Sequence, residues 1–147
     1  MGLVKFFTFF CWVFFVCLNV HAQNARNVVR LACEDGSKTY SSLAIINTQE
    51  TYKIASETDE NSPERIRRLQ ILEGQRDNYI GLFKVNHRKT QEEWIKGGMD
   101  PNVASLYKSV MDLTLFITLS LSYKNPHWDQ SRLIVEAQDE CERSNSR

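Results

Sequence analysis

The sequence predicts a mostly α-helical protein, a small bundle of four to five antiparallel amphipathic helices held by one disulfide. Three observations carry this reading. Two segments open with an N-cap residue followed by proline, Ser62-Pro63 and Asp100-Pro101. Apolar residues recur at helical spacing behind both of them. Outside an apolar leader, two cysteines remain, Cys33 and Cys141, one near each end of the chain.

The leader comes first. Lys5 supplies a positive start, Phe6 to Leu18 is apolar except for Thr8, and Val20-His21-Ala22 places tolerated residues before a cleavage point. This is the layout of a secretory signal peptide, residues 1–22, cut between Ala22 and Gln23. An uncleaved membrane anchor is the alternative, but the apolar run is short against the ~20 residues of a span. The expected product is therefore secreted and extracellular. It consists of a single helical domain over residues 23–142 and a polar tail over residues 143–147, with no stable membrane span after cleavage.

Cleavage also settles the cysteine arithmetic. Of the four cysteines, Cys11 and Cys17 leave with the leader. In an oxidising compartment the remaining pair reads as a disulfide, Cys33–Cys141, pinning the first element to the last. No CxxC or CxxH ligand spacing is present, so no zinc site is expected.

Each element then has its own local warrant. Asn24 to Glu34 is a short expected helix, and Gly36 is a plausible stop because glycine adopts the left-handed C′ conformation cheaply. Ser37 is then expected to cap a second helix, Lys38 to Thr58. Its spacing is only partly helical, and a hairpin pairing residues 42–46 with 51–55 is the competing reading, since Ile, Thr and Tyr favour strands.

Ser62-Pro63-Glu64 is the strongest start in the chain. It offers a capping hydroxyl, a proline where no N–H is needed, and an acid at the positive helix end. Ile66, Leu69, Leu72, Tyr79, Ile80 and Phe83 follow at helical spacing, interrupted by Gly74 and Gly81. These two glycines cost helix stability unless they permit a close neighbour. Thr90-Gln91-Glu92-Glu93 has capping-box spacing and either starts a short helix or belongs to the tail of the long one.

Asp100-Pro101 opens the next helix, with Val103, Leu106, Tyr107, Val110 and Ile117 on one face. Residues 113–123 also alternate apolar and hydroxylic side chains, so a strand is the competing reading there. Asn125-Pro126 ends the segment. A last helix, Trp128 to Glu142, puts Ile134, Ala137 and Cys141 on one face.

Chemistry is sparse. His87 and His127 are the histidines beyond the leader, and neither has a second histidine at ligand spacing. HExxH, GxSxG and P-loop patterns are missing. The acid pairs Glu34-Asp35, Asp59-Glu60, Glu92-Glu93 and Asp139-Glu140 read as solvated helix faces. So do the basic clusters Arg65/Arg67/Arg68 and Lys84/His87/Arg88/Lys89.

Lys plus Arg and Asp plus Glu both number 18, giving zero net charge. That balance argues against a nucleic-acid partner, which demands excess positive charge. No catalytic residue, cofactor or metal ligand is therefore assigned. The expectation is a non-enzymatic protein that binds an extracellular protein or surface partner through its helix faces. The first alternative is a carrier of a small apolar ligand in an interhelical cavity. The second, less favoured, is an enzyme whose site assembles from scattered residues such as His87 or His127.

Overall fold

A computed structural model describes the backbone of residues 2–147 and the side chains of residues 25–147. The signal peptide expected at residues 1–22 and the Ala22–Gln23 junction thus lie outside the residues with described side chains. Four helices follow one another: α1 (Gly2–Glu57), α2 (Pro63–Lys96), α3 (Pro101–Lys124) and α4 (Gln130–Asn145). No strand occurs among the described residues, so both hairpin and strand alternatives fall to the helical reading.

The reason is visible in the hydroxyl groups. Residues that suggested strands satisfy their side chains along the helix instead. Thr51 Oγ1 donates to the Asn47 carbonyl at 2.7 Å. Thr114 and Thr118 donate to the carbonyls of Val110 and Thr114, each at 2.7 Å. The alternation in residues 113–123 is thus a by-product of threonines that back-bond inside a helix.

The expected stop at Gly36 does not occur; α1 runs through it unbroken. Ser37, expected as an N-cap, donates back to the Glu34 carbonyl at 2.9 Å within the helix. Gly36 has a tertiary role. A Cβ built there would lie 2.7 Å from Thr114 Cβ and 2.8 Å from its methyl, so glycine is what lets α3 approach.

The start signals at Ser62 and Asp100 perform as read, and Asp129 supplies a third cap that the sequence reading did not name. Ser62 accepts from the Arg65 amide at 3.2 Å, Asp100 from the Asn102 amide at 2.7 Å, and Asp129 from the Arg132 amide at 2.8 Å. Thr90 begins no new helix; its hydroxyl donates to the Asn86 carbonyl at 3.0 Å, and α2 continues to a turn at Gly97 and Gly98. Gly98, at φ +99°, occupies a conformation that side-chain-bearing residues avoid. Trp128 lies just before α4 rather than in it, stacked under Arg132 at 4.7 Å. At the other end α4 extends into the expected tail, where Asn145 donates to the Cys141 carbonyl at 2.7 Å.

Consecutive helices run antiparallel, as short connections require. The packing centre is nevertheless the parallel pair α1 and α3, which cross where Gly36 meets Thr114 and where Thr48 meets Ser122. The seam is small and hydroxylic. Thr48 Oγ1 and Ser122 Oγ share a hydrogen bond at 2.8 Å, and Ser122 Oγ donates to the Ala44 carbonyl at 3.1 Å. Small side chains bring the backbones close, and hydroxyls satisfied in place avoid the cost of buried unpaired oxygen. Among the described residues, no buried side-chain nitrogen or oxygen lacks a partner.

Helix α4 closes one side of this pair. Leu133, Ala137 and Cys141 are fully buried there. Cys141 joins Cys33 in a disulfide with Cα atoms 5.6 Å apart, across 108 residues of chain. Thr114 Oγ1 lies 3.1 Å from Cys141 Sγ, so the staple and the α1–α3 crossing are one contact region. Helix α2 lies against α1 and α3 on the other side, shares no contact with α4, and contains no buried residue.

Candidate binding site

Helix α2 is anchored at its start by a polar clamp and further along by a polar bridge. At the start, Arg65 donates through Nε to Thr58 Oγ1 at 2.9 Å and through Nη2 to the carbonyls of both Ala55 and Thr58. Arg68 pairs with Glu57 at 2.8 Å. Two of the three arginines expected on a solvated face therefore fasten the α1–α2 turn.

The bridge centres on His87. Its ring stands one helical turn after Phe83 on the inward face of α2, and its side chain is only 11% exposed, so the solvated histidine expected from sequence is here an interior one. Asp112 Oδ1 on α3 lies 3.1 Å from Nδ1, and the Tyr40 hydroxyl on α1 lies 2.5 Å from Nε2. With Nδ1 protonated toward the carboxylate, Nε2 accepts from the tyrosine. Lys108, one turn before Asp112, pairs with the other carboxylate oxygen at 3.1 Å. The chain Lys108–Asp112–His87–Tyr40 thus ties three helices together. Phe83 packs edge-on to the Tyr40 ring at 5.1 Å beside it.

A carboxylate, a histidine and a hydroxyl in line resemble the order of a nucleophilic triad in outline only. Tyr40 is wholly buried. Burial first, then the charge of Asp112, pushes its hydroxyl well above the ordinary tyrosine range, which keeps it protonated. A buried, protonated phenol is a structural donor and not a nucleophile.

Next to the bridge lies a cavity of about 250 Å³, lined by Thr39, Phe83, Asn86, His87, Thr90, Tyr107 and Met111. Tyr107 donates to Asp35 at 2.6 Å and meets Trp94 edge-on at 4.4 Å. Burial and the bond to Asp35 raise the Tyr107 hydroxyl as well. Phe83 and Met111 supply its apolar lining, and Thr39, Asn86, Thr90 and Tyr107 its hydroxyl and amide groups. The volume falls just below the roughly 300 Å³ at which pockets begin to take drug-sized molecules.

Other sequence-level candidates do not converge. His127 is exposed in the turn before α4, and the acids of the pairs Asp59-Glu60 and Glu92-Glu93 face water. No group of three or more His, Cys, Asp or Glu side chains able to hold a metal occurs among the described residues. Sequence reasoning missed Tyr40 and Asp112 as partners of His87. The one available signal was the i, i+4 placement of Phe83 and His87 on the inward face. Helix α3 is long and apolar enough by composition to cross a membrane, and here it forms the centre of the bundle.

A second surface feature sits on α3. Leu113, Phe116 and Tyr123 follow one stripe and are 39%, 56% and 54% exposed, and Tyr123 stacks on exposed Tyr52 of α1 at 5.8 Å. No protein-family model matches the chain, and no curated protein or solved structure is detectably similar to it.

Proposed function

We propose that this chain is a small secreted, non-enzymatic binding protein whose partner is an extracellular protein. The observation that carries the reading is the stripe of Leu113, Phe116 and Tyr123 with Tyr52 beside it, four large exposed side chains on the two helices that form the packing centre. Aromatic groups presented on a stiff frame are what protein interfaces use as anchors. The apolar leader and the long-range disulfide support export, since such a staple persists in oxidising compartments. The test is capture from the native extracellular fluid with the processed protein and with a Phe116→Glu/Tyr123→Glu variant. The expected result is a partner held by the first and lost by the second. Equal capture by both, or turnover of a substrate without any partner, would refute the reading.

The cavity beside His87 favours a second reading, a carrier of a small, mostly apolar ring compound. Native mass spectrometry of the purified protein would then show an added small mass that Met111→Trp, which fills the cavity, abolishes. A bare polypeptide mass counts against it.

A further inference from the structure

Helix α2 leaves one observation unexplained. Its outward face carries Ile71, Leu82 and Val85 at 52%, 61% and 46% exposure. Gly74 and Gly81 lie on that same face, and a Cβ at either would meet nothing within 4 Å. Glycine is the poorest helix former after proline, and neither position is needed here for a turn or an internal contact. Residues 71, 74, 78, 81 and 85 recur in alternating steps of three and four, the spacing of a helix–helix seam. Small residues in such a seam permit close approach of a second helix.

The charges beside the seam identify that helix. Along one flank, Glu73 and Asp77 are followed by Lys84 and Arg88, all exposed. Asp77 has only its exposed chain neighbour Arg76, at 3.3 Å, and the other three make no ion pair among the described residues. The two acids and the two bases lie symmetrically about residues 80 and 81, a pattern complementary to its own reverse. We propose that the outward face of α2 is a self-interface, in which two copies pair their α2 helices antiparallel about a two-fold axis beside Gly81.

In that register Glu73 faces Arg88 of the second copy, and Asp77 faces its Lys84. Leu82 packs over Asn78, and Val85 fills the space that Gly74 leaves. A parallel pairing would oppose every charge with itself. Sliding the antiparallel register by one helical turn in either direction keeps only one acid–base pairing in place of these two. The interface is isologous and closes at two chains.

Light scattering on a sizing column, with the processed protein at about 100 μM and low salt, reads the outcome, because exposed charge pairs are screened as salt rises. The expected mass is that of two chains, with dissociation at least tenfold more favourable in high salt. Two reversed chains sharpen the test. Lys84→Glu/Arg88→Glu makes the flank wholly acidic, and Glu73→Lys/Asp77→Lys makes it wholly basic. Each alone is expected to run as a monomer of unchanged helicity, and an equimolar mixture to run as a heterodimer. Gly81→Leu is expected to abolish the dimer while circular dichroism stays unchanged. A wild-type monomer at that concentration overturns the proposal. So does a dimer that survives the reversals unmixed, a mixture that stays monomeric, or loss of helicity in either reversed chain.

Discussion

The stapled trio of α1, α3 and α4 and the long helix α2 are built on opposite principles. All the buried side chains belong to the trio, among them Tyr40, Leu115 and Leu133. There the cross-link and the glycine–threonine crossing coincide within one contact region. Helix α2 has more residues than α3 or α4 and yet buries none; a polar clamp, a histidine bridge and a few half-buried rings hold it. The contrast teaches that helix length and good capping do not measure contribution to a core. Apolar area removed from water does, and on that scale α2 is an appendage of a three-helix unit.

The largest expected effect strikes the trio. Replacing both Cys33 and Cys141 by alanine frees a loop of 108 residues. The loss expected for so long a loop is about 4–5 kcal/mol in denaturant unfolding. A loss below about 1 kcal/mol would show that packing, not the staple, sets the unit's stability.

Next come paired leucines. Leu133→Ala, at a site with no exposure, is expected to cost about 2–5 kcal/mol. Leu82→Ala on α2, measured too dilute for self-association, is expected within about 0.5 kcal/mol of wild type. Equal losses would abolish the distinction between the two regions.

Paired glycines follow and should change in opposite directions. Gly36→Ala drives a methyl into Thr114 and is expected to destabilise by about 1–3 kcal/mol, because backbone-borne atoms yield poorly. Gly74→Ala on α2, again at high dilution, is expected to stabilise by about 0.4–1 kcal/mol. Thermal unfolding of the two variants checks both signs.

The last comparison concerns the bridge. Burial keeps the Tyr40 and Tyr107 hydroxyls protonated above pH 10.0, where an exposed tyrosine ionises. The folded chain therefore binds more protons than the unfolded chain in that range. Stability is complete below about pH 10 and falls as pH rises beyond it. Amide exchange in α2 is expected to accelerate first, ahead of α4. Tyr40→Phe, which leaves His87 Nε2 unpartnered, is expected to cost about 1–3 kcal/mol and to reduce that alkaline dependence.

Much of the fold was legible because it rests on local chemistry. Ser62-Pro63, Asp100-Pro101 and Asn125-Pro126 mark boundaries through interactions within a few residues, and the structure places two helix starts and one helix end there. Gly36 misled for a physical reason. Glycine lacks a Cβ, which serves equally for a left-handed stop and for close helix contact, and only the approach of Thr114 distinguishes them. The hydroxyl-rich stretch of α3 was ambiguous because threonine suits a strand and also satisfies itself by back-bonding. The bridge was least visible. Tyr40, His87 and Asp112 lie 47 and 25 residues apart in sequence, and no spacing rule joins residues on three different helices.

By itself, then, the chain specified the helical kind of its segments, where two of them begin, and which two sulfurs could meet. Those properties depend on short-range sterics, capping and the chemistry of a single possible pair. Tertiary structure alone decided that α1 and α3 would form the centre, that His87 would turn inward, and that α2 would remain outside the core. Each of those outcomes depends on which surfaces meet, and that is set by packing between residues far apart in sequence.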